Sequence, residues 1–444
     1  MAPPRGAGVR ASAAALALLF PLAASAEAPA VKSLTLRVCV ETALERNFAL
    51  IQARELIRQR TGAYAVARAA LLPSLDARGE FSRTDPKKLS SFGGSTFGHS
   101  DNWSAGVELS QPLFSGGAGA ALRGREAARR DAAAHEYESE VNRVLLLVHE
   151  RFYAVLLRRE QVLVREEAVR LLEAEVEAER RKRDVGSVSD FNVLRVEVEL
   201  ANSRTPLIRA RNELRLAGEE LRAVLGLTGK DAPGEISAEG TLRFEPLEAE
   251  LETAIAKARE NRPELNRLRR LVFAQEENIT LQRADYLPSL KGTAAYDIER
   301  DRFAPKLGDV NRGWTLGVRG DWNLFDGLAS RAKIDSARSE LASARAALAE
   351  QEAKVEIEAR RAYSSLIEAR ELVAASSKVS ESAREALRLS RARFAADVAT
   401  QLDVFAAQVA LTDARANEVQ AVHDYNLAVA RLRQAVGDFV SPKS

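Results

Sequence analysis

From Ala118 to Arg183 the sequence runs roughly 66 residues without a proline. At about 1.5 Å per residue an α-helix of that length is a rod of ~100 Å. Within it Val141, Val148, Val155, Val162, Val169 and Val176 recur every seven residues. That period keeps one stripe against a neighbouring helix along a supercoil. A second stripe, Leu157, Val164, Leu171 and Ala178, is displaced by two positions, or roughly 200° around the axis. A two-stranded coiled coil needs one seam. Apolar stripes on nearly opposite sides need two neighbours, as in a closed ring of helices. On this stretch alone, a long helix in a soluble bundle or an ordinary coiled coil is the competing reading.

Charge is dense, at 29% of residues, but interspersed and nearly balanced at +2. That suits long helices with wet faces and gives no bulk field for nucleic acid. The N-terminus has the form of a secretory signal peptide over residues 1–26. Arg5 and Arg10 form the basic region, Ala13–Ala24 the apolar core, and Ala24-Ser25-Ala26 the cleavage site, with Glu27 expected to start the mature chain. The apolar core is short for a membrane anchor. No other stretch is long and apolar enough for a transmembrane helix, so any membrane crossing must be made by strands. The single cysteine, Cys39, excludes an internal disulfide.

Taken in order, Ser33–Arg46 and Phe48–Leu71 read as helices, the second stopping at Pro73. The period then changes to two. Strands are expected at about 74–83 and 102–111, the second closed by Pro112, Gly116 and Gly117, with a loop over Asp85–Asp101. The long helix 118–183 follows, then a break at Asp184-Val185-Gly186-Ser187 and a return helix over 190–225 that Ser189 or Asp190 can cap. Residues 227–246 form a linker with one short strand expected at Thr241–Phe244.

The pattern then restarts. Residues 247–437 supply two helices, Leu247–Arg259 and Glu264–Tyr286, strands at about 289–299 and 313–324, a long helix 329–394 and a return helix 403–436. A short tail, 438–444, remains. Trp103 matches Trp314, Gly116 matches Gly327, Phe152 matches Tyr363 and Gly226 matches Gly437, all at an offset of 211. Leu72-Pro73-Ser74-Leu75 matches Leu287-Pro288-Ser289-Leu290 at 215. An ordered set of matches at a near-constant offset is a duplication of the 27–226 repeat. In each half, the return helix and the helix before the strands together nearly equal the long rod. Stacked end to end, they would lie beside it as a second column.

Four strands are too few to close a barrel within one chain. Trp103, Val107, Leu109, Tyr296, Trp314, Leu316, Val318 and Trp322 would give an open sheet one apolar face and two bare edges. Lipid suits that face, and a barrel shared by several chains leaves no edge. The alternative is a small soluble β-domain covered by loops.

The order helix, Leu-Pro-Ser-Leu, strand pair, long helix, glycine turn and return helix, given twice, resembles the TolC-type outer-membrane efflux protein family. Asn261–Leu265 and its diverged partner Asn47–Leu50 share in the resemblance, which covers roughly Leu36–Phe439. The resemblance implies a class of α plus transmembrane β. Duplicated long-helix hairpins from a homotrimer form a periplasmic α-barrel, capped by an outer-membrane β-barrel to which each chain gives four strands. It implies the outer membrane of a Gram-negative cell as location, and outer-membrane lipid, a periplasmic adaptor and an inner-membrane pump as partners. The function implied is the passive exit duct of a tripartite efflux or type I secretion system.

Site residues follow from the same resemblance. Val185, Gly186, Ser187 and Val188 resemble the first adaptor-docking tip. Asp397 and Val398 belong to the second, where Asp397 departs from the usual glycine. Asp403 aligns with an acidic position that rings the closed periplasmic aperture, with Asn192 and Phe394 beside it. Ala406 and Ala399 stand where the family has a second acid and a latch arginine. An ordinary helix N-cap is the plainer role for Asp403.

Nothing points to catalysis. His149-Glu150 lacks the second histidine of a zinc-protease helix, and Gly226–Asp231 has the wrong spacing for a phosphate loop. No enzyme activity, metal or cofactor is expected. The rival reading from another class is a soluble periplasmic adaptor or scaffold built on long coiled-coil hairpins, which has no use for aromatic strand pairs.

Overall fold

The first half opens with β1 (Lys32–Leu34) and α1 (Leu36–Arg46), capped by Thr35, whose hydroxyl accepts from the Val38 N–H. Asn47 caps α2 (Phe48–Ala69), accepting from the Ala49 and Leu50 N–H groups. Strands β2 (Ser74–Arg83), β3 (Ser90–Phe92), β4 (Ser95–Phe97) and β5 (Asp101–Ser115) follow. The valine-striped rod is α3 (Ala118–Asp184), an unbroken helix of 67 residues, and α4 (Asp190–Val224) returns beside it. After β6 (Ile236–Ala238) the second half repeats the order: α5 (Leu251–Asn261), α6 (Pro263–Arg283), β7 (Ser289–Arg300), β8 (Val310–Asp321), α7 (Ala329–Ala395) and α8 (Gln401–Val436). The second rod also has 67 residues. This computed structural model describes residues 32–439 apart from 86, 88, 89, 93, 94, 98, 99, 229–235, 301–308 and 397. The signal peptide at 1–26, Asp397 and the tail from 440 lie outside the described residues.

Several local expectations are corrected. Thr241–Phe244 forms no strand; Phe244 instead packs its ring on Tyr425, with centroids 4.7 Å apart. The strand of that region is β6, in parallel register with β1, and buried Ile236 and Ala238 join the core of Phe152 and Leu156. The first helix therefore begins at Leu36, not Ser33. The 85–101 loop carries the small β3–β4 hairpin. Strand β5 does not stop at Pro112 but runs on to Ser115, with a register shift between Pro112 and Phe114. Pairing with β2 ends at Ser110, so Pro112 has a strand neighbour on the β7 side alone and stands beside the register shift, a place where proline is tolerated. The last strand is Val310–Asp321, because its partner β7 begins at Ser289, opposite Asp321. Trp322 and Leu324 lie past its end.

Helix α3 has neighbours on both flanks. It packs against α4 and α2, and also against α6 and α8. Val162, Val169 and Val176 of its first stripe meet Val196, Leu200 and Leu207 of α4. Five ion pairs lace the same α3–α4 seam: Arg151–Glu220, Arg158–Glu213, Glu166–Arg211, Glu173–Arg204 and Arg180–Glu197. Exposed pairs of this kind add little stability each. On the other flank Leu157 is buried and Val164, Leu171 and Ala178 are half-buried. There Glu150 pairs with Arg431, and Glu167 with Arg415, both on α8.

The short helices do stack end to end. Asn47 Nδ2, at the start of α2, donates to the Val224 carbonyl at the end of α4, at 2.8 Å. In the second half Arg262, at the start of α6, donates to the Gln434 carbonyl of α8 at 3.3 Å. Gly226 (φ 69°) and Gly437 (φ 80°) close the two joints in left-handed backbone. A Cβ on Gly226 would lie 2.4 Å from the Arg46 carbonyl oxygen, whereas one on Gly437 would lie 3.1 Å from the Asn261 backbone. Both Gly→Ala variants bear the left-handed penalty of about 1 kcal/mol. Gly226→Ala adds an overlap costing roughly 1–3 kcal/mol more. Its thermal midpoint is expected to fall clearly below that of Gly437→Ala.

The main sheet is antiparallel with order β2-β5-β7-β8, so the two halves join through β5 and β7. The chain passes from α2 into β2, from β5 into α3, from α6 into β7 and from β8 into α7. The columns α2/α4, α3, α6/α8 and α7 therefore stand in the same order as the strands that continue them. One margin of the protomer is β2 with α2/α4, and the other is β8 with α7. Cys39, on α1, is buried in the core with Phe152 and Leu156, and burial pushes its thiol up to about 11, which leaves it inert.

Candidate functional sites: the apolar sheet face and the hairpin tips

Alternation and register sort the sheet residues onto two faces. One row runs Ala77–Val107–Tyr296–Trp314 and the next Leu75–Leu109–Ala294–Leu316. Phe81 and Trp103 stand opposite each other above them, and Gly292 and Val318 below. All the strand residues expected to face lipid thus share one face. Trp314, Leu316 and Val318 are 74%, 69% and 69% exposed in the isolated chain. Trp322, just beyond β8, is exposed too, with its indole N–H donating to the Tyr286 carbonyl at 3.2 Å. The opposite face carries Asp76, Arg78, Glu80, Glu108, Lys291, Asp297 and Arg319, with Arg78 and Glu108 paired at 3.1 Å. The sheet is therefore oily on one side and charged on the other. Among the described residues no helix is long and apolar enough to cross a membrane.

At the far end of the rods, Gly186 (φ 77°) turns the chain out of α3. The Gly186 N–H donates to the Arg183 carbonyl and the Ser187 N–H to the Lys182 carbonyl, both at 2.8 Å. Val185 and Ser187 are exposed and Val188 half-buried. In the second tip the Val398 N–H donates to the Arg393 carbonyl at 2.9 Å, the counterpart of the Ser187 bond, and Val398 is exposed.

The cap of α8 is Thr400, which corrects the N-cap role expected for Asp403. Asp403 is the third helical residue of a capping box. Its Oδ2 accepts from the Thr400 N–H and hydroxyl, both at 2.8 Å. Those two bonds hold its carboxyl below the usual carboxylate range while the side chain stays exposed. Its Oδ1 accepts no hydrogen bond among the described residues. Asn192, its counterpart 211 positions earlier, closes no such box, and Ser189 makes no side-chain cap bond. Phe394 is half-buried between α7 and α8, beside Leu387, Val404 and Leu411. Lys182 of the first tip lies 5.6 Å from the centre of its ring, tying the tips together.

Sequence reasoning missed the apolar groove between α4 and α8, lined by Phe191, Leu194, Val198, Leu402, Phe405 and Val409. Its signal was present in the i, i+3, i+7 spacing of Phe191, Leu194 and Val198. Among the described residues no group of three or more His, Cys, Asp or Glu is placed to hold a metal.

The family model described as "Outer membrane efflux protein" matches residues 39–227 and 254–438. Outer membrane efflux protein BepC of Brucella suis is 29% identical over 43% of this chain and 42% of its own length. Alkaline protease secretion protein AprF of Pseudomonas aeruginosa is 26% identical over 88% of this chain and 81% of its own. The crystal structure of the CmeC outer membrane channel of Campylobacter jejuni superposes with a TM-score of 0.79 at 16% identity, covering 94% of this chain and 90% of that one.

Proposed function

The chain belongs to the outer membrane efflux protein family, and on that premise we propose that three copies close side by side into one duct. Three sheets of four strands make a twelve-stranded barrel in the outer membrane. The helical columns below it make the wall of a periplasmic tunnel. One observation carries the reading. Each protomer ends on two unlike margins, β2 with α2/α4 and β8 with α7, so each margin can be completed by the next copy. Such head-to-tail contacts close into a ring when the rotation allows. The apolar face of the sheet then meets lipid and the charged face lines water. A soluble adaptor would leave that apolar face bare.

Transport is passive. The energy comes from an inner-membrane pump that reaches the duct through a periplasmic adaptor, as in an efflux or type I secretion system. The adaptor docks at the tips, on Val185–Val188 and Val398. Three Asp403 side chains ring the aperture, with Oδ2 held by the cap and Oδ1 left to attract cations. Cell fractionation and a heat-resistant trimer band test the assembly. A monomer in the soluble periplasmic fraction would overturn it.

Two predictions follow from the tip geometry. Gly186→Pro is expected to abolish export while the trimer persists, because proline cannot adopt φ 77°. Normal export by this variant would place the adaptor elsewhere. Asp403→Asn and Asp403→Ala are both expected to lower cation conductance and cation selectivity in planar bilayers, because each removes the carboxylates that attract cations. Asparagine keeps an acceptor for the cap, so an effect shared by both belongs to the charge. The depressed pKa makes the cap's contribution complete above the ordinary carboxylate range and lost only as pH falls through the lowered value. Cation selectivity should therefore be flat from about pH 8 to about pH 5. Unchanged conductance and selectivity in both variants would remove Asp403 from the aperture.

A further inference from the structure

The lipid-side face of the sheet is free of charge along nearly all its length, and every charge it carries stands at one end. By register that face presents Leu75, Ala77, Gly79 and Phe81 on β2, and Arg83 follows them at the end of the strand. On β7 Ile298 is followed by Arg300, and on β8 Arg312 precedes Trp314. On β5 the terminal residue is Asp101, opposite Arg83. This is the end away from the helices, hence the cell-surface side of the barrel. Three arginines against one aspartate leave two net positive charges per chain, at the end of the sheet where Phe81 and Trp103 stand and above the Tyr296–Trp314 row.

The acid does not consume the cluster. Asp101 Oδ1 lies 3.3 Å from Arg83, whose side chain is 78% exposed. Arg300 donates one N–H to the Asp101 carbonyl, while its Nε is buried without a hydrogen-bond partner. Arg312 is exposed and makes no ion pair among the described residues. Arginine on the lipid face costs about 2–4 kcal/mol at the bilayer midplane but only about 0–1 kcal/mol near the interface. The cluster stands where that cost is small and where lipid phosphates lie.

We propose that Arg83, Arg300 and Arg312 form a docking surface for the phosphate groups of an outer-leaflet phosphoglycolipid, with the aromatic row beneath them seated against its acyl chains. This rests on the barrel reading above. Guanidinium forks bind phosphate oxygens in bidentate pairs, which suits arginine better than lysine. The charge is complementary, and the apolar band below fits a lipid rather than a soluble anion. The same three groups recur on every copy, so the trimer carries a collar of such sites.

The test uses the full-length trimer in phosphatidylcholine nanodiscs doped with bisphosphorylated lipid A, or with the same lipid after enzymatic dephosphorylation. Retained lipid is counted by native mass spectrometry. Wild type is expected to retain the phosphorylated lipid about tenfold better. The triple variant R83Q/R300Q/R312Q should lose that preference, and Arg312→Gln alone should lose part of it. Arg319→Gln, the same charge change on the opposite face of β8, should keep it. Equal retention of both lipids by wild type, or a preference that survives in the triple variant, overturns the proposal. So does release of the lipid by inorganic phosphate, which would make the collar a site for the free anion. A wild-type chain that fails to enter discs as a trimer refutes the barrel itself, whereas a disc-embedded trimer without preference refutes only the collar.

Discussion

Val318→Arg is expected to remove the protein from the outer membrane. Val318 pairs with Gly292 on the apolar face of β8 and is 69% exposed in the isolated chain. It lies midway in sequence between Trp314 and Trp322, the aromatic residues at the two ends of the band, and so near the bilayer midplane. An arginine there costs about 2–4 kcal/mol per barrel position, and three copies bring the assembly roughly 6–12 kcal/mol. That is comparable to the whole stability of a typical domain. The heat-resistant trimer should vanish from the membrane fraction, and export with it. Thr315→Arg, three residues away on the charged face, should leave both nearly intact. Normal accumulation of the Val318→Arg trimer would mean that this face does not meet lipid.

The architecture was legible because it rests on period. A rod of 67 residues leaves no room for misreading, and strict alternation assigned Trp103, Tyr296, Trp314 and Leu316 to one face before any register was known. The duplication set the second half by comparison with the first. What period could not reach was read poorly. Strands β1 and β6 have three residues each, too few for alternation to show, and they exist because the two segments are brought together far along the chain. Strand β5 passes Pro112 because a partner from the other half holds it. Local propensity has no knowledge of that partner.

The tips show the same limit at the level of side chains. Gly186 was readable as a turn, since few residues adopt its φ. Asp403 was readable as an acid at a helix start, but its place inside the box depends on where α8 begins, and Thr400 decides that. The contact of Lys182 with Phe394 joins residues more than 200 positions apart and leaves no local trace. The groove between α4 and α8 was overlooked for a related reason. Phe191, Leu194 and Val198 have the spacing of any helical stripe, and only packing shows that no element of the same chain covers them.

That uncovered stripe is the partner expected for the exposed stripe of α7. Ala359, Leu366, Val373, Ser380 and Leu387 recur every seven residues on α7 and are buried. Leu372, Val379 and Ala386 also recur every seven, one position before that stripe and so roughly 100° round the helix, and are exposed. Helix α7 therefore has two stripes, like α3, but only one is covered. Under the 211 offset Val379 corresponds to Ala168, which is buried and lines a cavity with Phe405 of α8. Phe405 corresponds to Leu194 of α4, which is 58% exposed. The contact that α3 makes with α8 inside the chain should thus be made by α7 with α4 of the next copy. Val379→Glu would bury an unpaired carboxylate at each of the three junctions, a cost of several kcal/mol apiece. The expected result is loss of the heat-resistant trimer with helical circular dichroism preserved, because Val379 stands outside the α7–α8 core. Val373→Glu, inside that core beside Tyr425 and Leu432, should lose both. Adding Leu194→Arg to Val379→Glu should restore the trimer, since every copy carries both changes and each junction regains an ion pair. A trimer unaffected by Val379→Glu, or a double variant no better than the single one, would show that α7 meets something other than α4.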